Sequence, residues 1–327
     1  MELIRYLDLS PHEIKNINWL LDEVEAFPHE NKEEFKFASE SEVIAHELPR
    51  RVRSIFHEFK RDETDIAIVI PNGLDLLWDM PSTPEKFIER EGTLLTLARS
   101  DIAHMLFSSL LWKPFWFRTQ RYWHIINTII AQRDKEEVSN NSAWSKYDFG
   151  FHTEDAFHHW AANHLGLLCM RNIESAPTTL SHINFSEIPE DVREELFKER
   201  FLVTSNTIHQ NVMDAINTTR KSILFWNKNR PYFRINENTI DISQYSQQEQ
   251  KALWWILDQL HKNRIDLVLK SWNFLYIDNY RVAHRRDAYV PNYWPELRWL
   301  KRVVTTNDLT KTSSVRGSSN SQIIENI

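Results

Sequence analysis

The sequence predicts a mainly β protein with surrounding helices, of the α+β class, whose core is an antiparallel barrel or sandwich. From about residue 115 onward, short runs of aromatic and β-branched residues alternate with turn residues, a texture typical of such cores. Amphipathic patterns of helical spacing precede these runs and interrupt them. The predicted strands lie at 115–117, 149–152, 165–170, 223–226, 232–235 and 266–269.

The predicted helices begin at N-terminal caps that can be read directly from the sequence. Residues 10–13 combine a serine N-cap, a proline at the first helical position and a capping-box glutamate. A second capping box starts at Ser246, and another helix follows Pro189. Ahead of the β core, a strand is predicted over 65–70 and a packed helix over 94–111.

Length and composition are compatible with one large domain. The chain has 327 residues, of which 42% are hydrophobic, enough to bury a substantial core, although length alone permits two smaller domains. We expect a single domain over 1–304, with a mainly helical part at 1–114 and the β core with helical insertions at 115–304. The segment that follows is rich in Ser, Thr, Asn and Lys, which predicts a flexible tail over 305–327.

Charge and cysteine content exclude several classes of partner and site. Lys plus Arg (39) against Asp plus Glu (46) give a formal charge of −7, which repels nucleic acid and anionic membranes. Cys169 is the only cysteine, so neither an intrachain disulfide nor a thiolate-rich metal site can form, as is usual in a reducing compartment. No export signal or membrane span is recognisable. We expect a cytoplasmic protein without nucleic-acid or membrane partners, and the oligomeric state stays open.

A candidate metal site is formed by His152, Glu154 and His284. The first two are two residues apart, so on a strand both side chains leave the same face and can reach one ion. His284 lies on the second of two short strands around an Asp-Asn turn and offers a third ligand. Two imidazoles and one carboxylate form a facial triad that leaves half of the coordination sphere open. Iron(II) uses this arrangement to take up a bidentate cosubstrate and dioxygen.

Arg298 makes this combination more specific than its parts. Each histidine alone has an ordinary explanation, because the chain contains 14 of them. Arg298 follows His284 in a short basic segment. A guanidinium there can bind, through two hydrogen bonds, the far carboxylate of a dicarboxylic cosubstrate whose other end chelates the metal.

Four segments carry a resemblance to a known family. They are His152-Thr153-Glu154-Asp155-Ala156-Phe157-His158, Leu165-Gly166-Leu167-Leu168-Cys169-Met170-Arg171-Asn172, Asp278-Asn279-Tyr280-Arg281-Val282-Ala283-His284 and Arg298-Trp299-Leu300-Lys301-Arg302. They resemble the clavaminate synthase-like branch of the iron(II)/2-oxoglutarate-dependent dioxygenases, which includes arginine hydroxylases and asparagine oxygenases. The resemblance spans roughly 115–304. It implies a double-stranded β-helix, or jelly-roll, core and an enzyme that uses iron(II), 2-oxoglutarate and dioxygen to hydroxylate a small amino acid.

The resemblance also assigns roles around the metal. By analogy the three triad residues bind iron, and Arg298 binds the distal carboxylate of 2-oxoglutarate. Thr179 matches the hydroxyl that the family places on the cosubstrate, and Thr178 is its immediate neighbour. An ordinary turn threonine is the alternative interpretation of Thr179.

The resemblance extends to the groups that hold the substrate. Arg302 matches the family arginine that binds the α-carboxylate, with a solvated basic face as the alternative. Glu154 contacts the amino group in the family, so it can serve twice. Gln120 resembles a family glutamine near that amino group, although its usual glycine-containing context is absent. With the α-substituents held in this way, the β-carbon or the γ-carbon lies nearest the metal, which predicts β-hydroxylation, with desaturation as a variant.

The predicted substrate side chain is polar or acidic, resembling that of Asp, Asn, Glu or Gln. Arginine hydroxylases of the family place two acids, at i and i+2, near the end of the substrate side chain, and the matching positions here are Asn236 and Asn238. Two neutral amides cannot neutralise a guanidinium or ammonium group, whose unpaired burial is costly. A one-residue slip in this matching would bring Glu237 into the site and reverse the argument.

Several alternatives remain open from the sequence. The substrate can be a basic amino acid, or one tethered to a carrier protein instead of a free one. The triad can also belong to a metal-binding jelly-roll protein without catalytic activity. A His-Glu-His site can hold zinc and activate water in a hydrolase.

Overall fold

The structure, a computed structural model, describes residues 3–62, 64–71, 73–76, 80–84, 96–118, 124–131, 145–204, 220–292 and 295–325. Its α-helices in these ranges are α1 (Pro11–Glu25), α2 (Glu34–Ala45), α3 (Arg50–Asp62), α4 (Arg99–Leu111), α5 (Glu190–Leu196) and α6 (Gln247–Lys262). Its strands are β1 (Ile4–Tyr6), β2 (Ala67–Ile70), β3 (Lys113–Phe117), β4 (Asn127–Ile130), β5 (Phe149–His152), β6 (His164–Arg171), β7 (Thr178–His182), β8 (Phe201–Leu202), β9 (Arg220–Lys221), β10 (Leu224–Asn227), β11 (Arg230–Phe233), β12 (Ile265–Leu267), β13 (Phe274–Asp278), β14 (Val282–Arg286), β15 (Trp299–Thr306) and β16 (Ile323–Ile324).

Two sheets form the β core. Within the described residues the major sheet has eight strands in the order β1-β2-β13-β6-β15-β3-β16, with β4 also paired to β15. The minor sheet has four strands in the order β12-β7-β14-β5. Pairing around β15 and throughout the minor sheet is antiparallel, as predicted, whereas β1 with β2 and β16 with β3 are parallel. A mainly antiparallel core with surrounding helices agrees with the predicted fold class, and the pair of sheets is consistent with a jelly roll.

Local sequence signals explain where the helices begin. In α1 the Ser10 side chain accepts from the backbone N–H of Glu13, whose carboxylate accepts from Ser10 N at 2.8 Å. Ser246 and Glu249 form the same capping box at α6. Both predicted capping boxes are therefore present, and each satisfies backbone donors that a helix N-terminus otherwise leaves without partners.

The N-terminal helices cover the outer face of the major sheet. Helices α1, α2 and α3 contact α4, which lies against β15, β6 and β3. A Cβ atom at Gly166 of β6 would lie 2.8 Å from the Tyr276 ring and 3.1 Å from His104 of α4. Glycine at this point therefore lets α4 pack closely on the sheet. On the other side of the core, α6 contacts β7 and α5.

The C-terminal segment corrects the predicted tail over 305–327. Strand β15 continues to Thr306, a 3-10 helix follows over Leu309–Val315, and β16 then pairs in parallel with β3. Ile323 and Ile324 are buried in the same apolar cluster as β3. Two isoleucines after a long polar stretch are enough to return the chain to the sheet, because burying each stabilises the fold by about 1.5–3 kcal/mol.

Candidate metal centre and cosubstrate cavity

Neighbouring strands of the minor sheet bring the three predicted metal ligands together. His152 ends β5 and is the cross-strand partner of His284 in β14, with the ring centroids 4.2 Å apart. Glu154 follows His152 in the next turn, and its Oε2 lies 3.7 Å from His284 Nε2. One donor atom from each residue lies within 4.8 Å of the other two. The side chains converge closely enough to bind a single ion.

The surroundings of both imidazoles favour the neutral form that binds a metal. His152 Nδ1 lies 2.9 Å from the carbonyl oxygen of Gly150, which can only accept, so Nδ1 carries the proton and Nε2 keeps its lone pair. Burial lowers the pKa of His152. Burial, with His152 and Arg302 nearby, holds the pKa of His284 well below its usual range. Neutral imidazoles beside a carboxylate fit a divalent transition metal such as iron(II).

The loop that carries Glu154 is fixed by Asn279. The Asn279 Oδ1 atom accepts from the backbone N–H of Glu154 at 2.6 Å, and its Nδ2 donates to the Glu154 carbonyl at 3.0 Å. The same Nδ2 donates to Ala162 O at 2.8 Å, so the buried amide ties three chain segments together. Sequence reasoning treated Asn279 as a turn residue and missed this positioning role.

A cavity of about 60 Å³ adjoins the triad, between the two sheets. Both sheets contribute to its wall, through His152, His284 and Thr178 on the minor sheet and Leu165, Leu167, Leu300 and Arg302 on the major one. Arg302 donates from Nη1 to Glu154 Oε1 at 2.5 Å and lies over the Trp116 ring at 4.6 Å. The predicted substrate arginine therefore lies beside the metal ligands and is not part of a solvated face.

Arg298 lies in the cavity wall just before β15, where the cosubstrate arginine is expected. Its Nη2 donates to Thr178 Oγ1 at 3.2 Å, and its guanidinium lies over the Tyr289 ring at 5.9 Å. The side chain is buried, and no carboxylate in the described parts of the chain forms an ion pair with it. Its position suits an anion that enters the cavity.

The structure brings Thr178, and not the predicted Thr179, to the wall of the cavity. Thr179 Oγ1 donates to the Asp266 carboxylate at 2.6 Å, on the neighbouring β12, and does not line the cavity. Thr178 lines the cavity and bonds Arg298. Successive residues of β7 point to opposite faces of the sheet, so the preceding threonine takes the predicted position.

The structure does not support the predicted side-chain pocket at Asn236 and Asn238. Asn236 forms a β-bridge with His152 and donates to Thr204 O at 3.1 Å, and its Oδ1 accepts from Asn238 Nδ2 at 3.0 Å. Asn238 Oδ1 accepts from Gly150 N at 2.8 Å. Neither amide lines this cavity, and both bond to the protein, so the described residues do not place them at the end of a substrate side chain.

Glu237 and Gln120 were also candidate substrate residues. The Glu237 carboxylate accepts from Phe151 N at 2.7 Å and lies 2.6 Å from His261 Nε2, so it too is directed at β5 and α6. Gln120, the predicted contact of the substrate amino group, lies outside the described residues.

Arg286 is a cavity residue that the sequence interpretation did not single out. It follows His284 in β14, after an irregularity in the strand pairing, and lines the cavity. Its guanidinium donates only to backbone carbonyls, at 3.2 Å to Asp287 and 3.4 Å to Tyr147, and it forms no ion pair with a described carboxylate. Burial lowers the pKa of Arg286 to about 10. The arginine doublet after His284 was the available signal in the sequence.

The cavity is strongly cationic. Among the described residues that line it, four are arginines and Glu154 is the one acid. Arg302 pairs with Glu154, and Arg285 pairs with Asp148 and Asp287, which leaves Arg286 and Arg298 without a resident carboxylate. Such a cavity favours a ligand with more than one negative group.

The helices in the described ranges lack the length and apolar character needed to cross a membrane.

Comparisons with known proteins agree with this site. The enduracididine beta-hydroxylase of Streptomyces hygroscopicus is 28% identical to this chain, over 97% of the chain and 99% of that protein. The L-ornithine/L-arginine 3-hydroxylase of Catenulispora acidiphila is 23% identical, over 86% of the chain and 88% of that protein. The L-lysine 4-hydroxylase of Chitinophaga pinensis is 25% identical, over 76% of the chain and 67% of that protein. No protein-family model matches the chain.

Solved structures extend the similarity to the fold. The non-heme iron oxygenase OrfP in complex with Fe superposes with a TM-score of 0.84 at 25% identity, covering 98% of this chain and 99% of that one. Its complex with Fe and alpha-ketoglutaric acid gives a TM-score of 0.86 at 24% identity, with the same coverage. These findings confirm the predicted resemblance: over nearly its whole length the chain is similar to amino-acid hydroxylases and has the fold of a non-heme iron oxygenase, as the predicted enzyme class and cofactors require.

Proposed function

We propose that the protein hydroxylates a free L-amino acid with a basic side chain at its β-carbon, with iron(II) bound by His152, Glu154 and His284. One observation carries the proposal. The three donor atoms lie within 4.8 Å of one another beside a cavity in which no carboxylate of the described residues pairs with Arg298. When bound, iron(II) and 2-oxoglutarate would supply the electrons that activate dioxygen, the oxidant of the reaction.

The residues of the chain bind and orient the two organic ligands. Arg298 receives the distal carboxylate of 2-oxoglutarate, assisted by the Thr178 hydroxyl that already bonds it. Arg286 adds a second positive charge at this end of the cavity. Arg302 binds the α-carboxylate of the amino acid and keeps Glu154 in place through their ion pair. Holding both α-substituents places the β-carbon toward the triad.

The names of the relatives favour a basic side chain. They act on enduracididine, ornithine, arginine or lysine, according to those names. The asparagine pair that argued against a cation is bonded to the backbone of β5 and its surroundings, so it does not oppose this choice. OrfP has been solved with free L-Arg, which favours a free amino acid over a carrier-tethered one.

A polar or acidic side chain, as predicted from the sequence, is the second candidate. One observation favours it. Arg286 is a buried cavity arginine with only backbone partners, and it can bind a substrate carboxylate as well as a cosubstrate carboxylate. The two candidates differ in the sign of charge at the end of the substrate side chain, so a substrate panel separates them.

The first experiment tests the metal and cosubstrate. Under anaerobic conditions, iron(II) and 2-oxoglutarate are added to the purified protein, and the weak visible charge-transfer band of a chelated keto acid is recorded. We expect the band in the wild type, and in Arg298→Gln only at much higher 2-oxoglutarate concentrations. A protein that binds zinc, activates water and shows no band with iron(II) would contradict the proposal.

The second experiment tests the substrate. Succinate formation is measured with L-arginine, L-ornithine and L-lysine, and in parallel with L-aspartate, L-asparagine, L-glutamate and L-glutamine, and products are located by NMR. We expect a basic amino acid to give the largest stimulation, with a new hydroxyl at Cβ. The strongest response from an acid or amide selects the second candidate. If no free amino acid stimulates turnover, the free-substrate assignment is wrong.

A further inference from the structure

A second cavity lies far along the chain from the triad, among the N-terminal helices. It is a partly open cleft of about 380 Å³, lined by residues of α2, α3 and α4. Since these helices cover the outer face of the major sheet, the cleft is separate from the cavity between the sheets. Its volume falls within the roughly 300–1,000 Å³ typical of small-ligand sites.

One stripe of α3 makes the cleft basic. Arg50, Arg53, His57 and Lys60 recur at helical spacing and all line it, while Val52, Phe56 and Phe59 form the opposite, buried face of the helix. His46 at the end of α2 adds a further nitrogen base. Among the described residues that line the cleft, Glu42 is the one carboxylate.

The cations of this stripe differ from other arginines of the same helix. Arg51 pairs with Glu13 at 2.6 Å and Arg61 pairs with Asp62 at 2.5 Å, both outside the cleft. Arg50, Arg53 and Lys60 form no ion pair with any residue in the described ranges. The chain as a whole is acidic, with a net charge of −7, so the basic stripe of α3 is a local feature of the cleft.

Lys60 shows that this charge is partly removed from water. Its Nζ lies 4.2 Å from the centre of the Trp112 ring, and burial lowers its pKa, an effect that Glu42 opposes. Arg53 uses Nε to donate to Leu48 O at 2.8 Å, which fixes its stem and leaves its other nitrogens for the cleft. Ser54 and Ser109 add hydroxyl groups to the lining. Cations held in place beside hydroxyl donors form the kind of surface that binds oxyanions.

From this arrangement we propose that the cleft between α2, α3 and α4 binds a small polyanion, one that carries two or more phosphate or carboxylate groups. The site is independent of the proposed amino-acid hydroxylation and can be tested without turnover. Arg50, Arg53 and Lys60 bind the anionic groups, and the Ser54 hydroxyl donates a hydrogen bond to one of their oxygens. Binding weakens as salt concentration rises, since the cleft is open to solvent.

The test is calorimetric titration of the full chain at constant ionic strength. Iron(II) and 2-oxoglutarate are left out, because 2-oxoglutarate itself carries two carboxylates, and the titration is repeated with Arg298→Gln to recognise any binding in the cavity between the sheets. Fructose 1,6-bisphosphate represents phosphates and propane-1,2,3-tricarboxylate represents carboxylates. Saturable binding of either probe supports the site, and the tighter probe identifies the ligand class. No binding of either probe overturns it.

Matched variants locate the site. Arg53→Gln/Lys60→Gln is expected to weaken binding at least tenfold, whereas Arg61→Gln, which removes the same kind of charge from another face of α3, changes it less than twofold. Arg50→Gln, at the exposed start of the helix, is a second variant with little risk to folding, and we expect several-fold weaker binding. Equal binding by wild type, Arg50→Gln and a folded double variant overturns the assignment to this cleft.

Discussion

The arginines at the two ends of the cationic cavity differ in their partners: one is paired with a carboxylate, and the other two are not paired with any described carboxylate. At one end, Arg302 donates to Glu154, a predicted metal ligand, at 2.5 Å. At the other end, Arg298 interacts with the hydroxyl groups of Thr178 and Tyr289, and Arg286 donates to two backbone carbonyls. All three side chains are buried. The protein therefore neutralises one arginine itself, whereas no described carboxylate neutralises the other two.

The difference has an energetic consequence. A buried cation without a partner costs several kcal/mol relative to water, and a carboxylate that arrives with its own charge offsets this cost. The end with Arg298 and Arg286 is therefore organised for a ligand at the expense of the stability of the free protein. The end with Arg302 is stable without ligand, because Glu154 is already there.

Replacing Glu154 should reduce activity most, because this acid belongs to the triad and also pairs with Arg302. Glu154→Ala deletes a metal ligand and leaves Arg302 without its carboxylate. We expect iron binding to be lost and succinate formation to fall by more than the ~10–100-fold typical of changes outside the first coordination shell. Glu237→Gln is the control, because that carboxylate faces β5 and α6. An alanine variant that retains iron stoichiometrically contradicts the triad.

Replacing each arginine with methionine compares how the two ends of the cavity contribute to the free energy of unfolding. Arg302→Met leaves Glu154 buried without a cation, so the free energy of unfolding of the ligand-free protein is expected to fall by about 3–5 kcal/mol. Arg298→Met removes a buried cation that has no carboxylate partner among the described residues, so stability is expected to stay the same or rise. Denaturant titrations of the iron-free proteins measure both values.

The same pair of variants separates stability from binding. In Arg298→Met the KM for 2-oxoglutarate is expected to rise about 30-fold or more, the lower end of the ~2–5 kcal/mol lost when one partner of a buried charge pair is truncated. Arg302→Met should raise the KM for the amino acid more than that for 2-oxoglutarate. Equal effects of the two variants on both constants would mean that the two ends of the cavity do not have distinct ligands.

A smaller effect is expected where the loop of Glu154 is held. Asn279→Ala removes the amide that bonds both backbone groups of Glu154 and also Ala162. We expect iron affinity to fall about 10–100-fold, while the KM for 2-oxoglutarate measured at saturating iron changes little. Asn279→Asp, which keeps one acceptor, should lie between the two. If iron affinity is unchanged in a folded alanine variant, the amide does not position the ligand.

The sequence was sufficient where local signals coincide with periodicity. The capping boxes at Ser10 and Ser246 predicted α1 and α6, and the aromatic runs predicted β3, β5 and β6. The His-x-Glu spacing predicted a shared face, and the structure brings both side chains to His284. Each of these signals depends on residues within a few positions of one another, so it can be interpreted without knowledge of tertiary contacts.

Details that depend on the neighbouring element were not predictable. The bonds of Asn236 and Asn238 to Thr204 and Gly150 join segments that are distant in sequence, and no local pattern indicates them. The same holds for Ile323 and Ile324, whose polar surroundings predicted a tail although β3 provides a partner strand. The α3 stripe was overlooked because its cleft exists only once α2 and α4 are packed beside it.

A small change in the KM for 2-oxoglutarate is expected from variants that test the register of β7. Thr178→Val removes the hydroxyl that bonds Arg298, and the loss of one such hydrogen bond, about 0.5–1.5 kcal/mol, should raise the KM for 2-oxoglutarate roughly 2- to 13-fold. Thr179→Val keeps the same shape change on the opposite face, where the hydroxyl bonds Asp266, so its KM should match the wild type. The reverse result would restore Thr179 as the cosubstrate contact and shift β7 by one residue. Because one residue exchanges the two faces of a strand, this pair of variants determines which threonine faces Arg298 even if both effects are small.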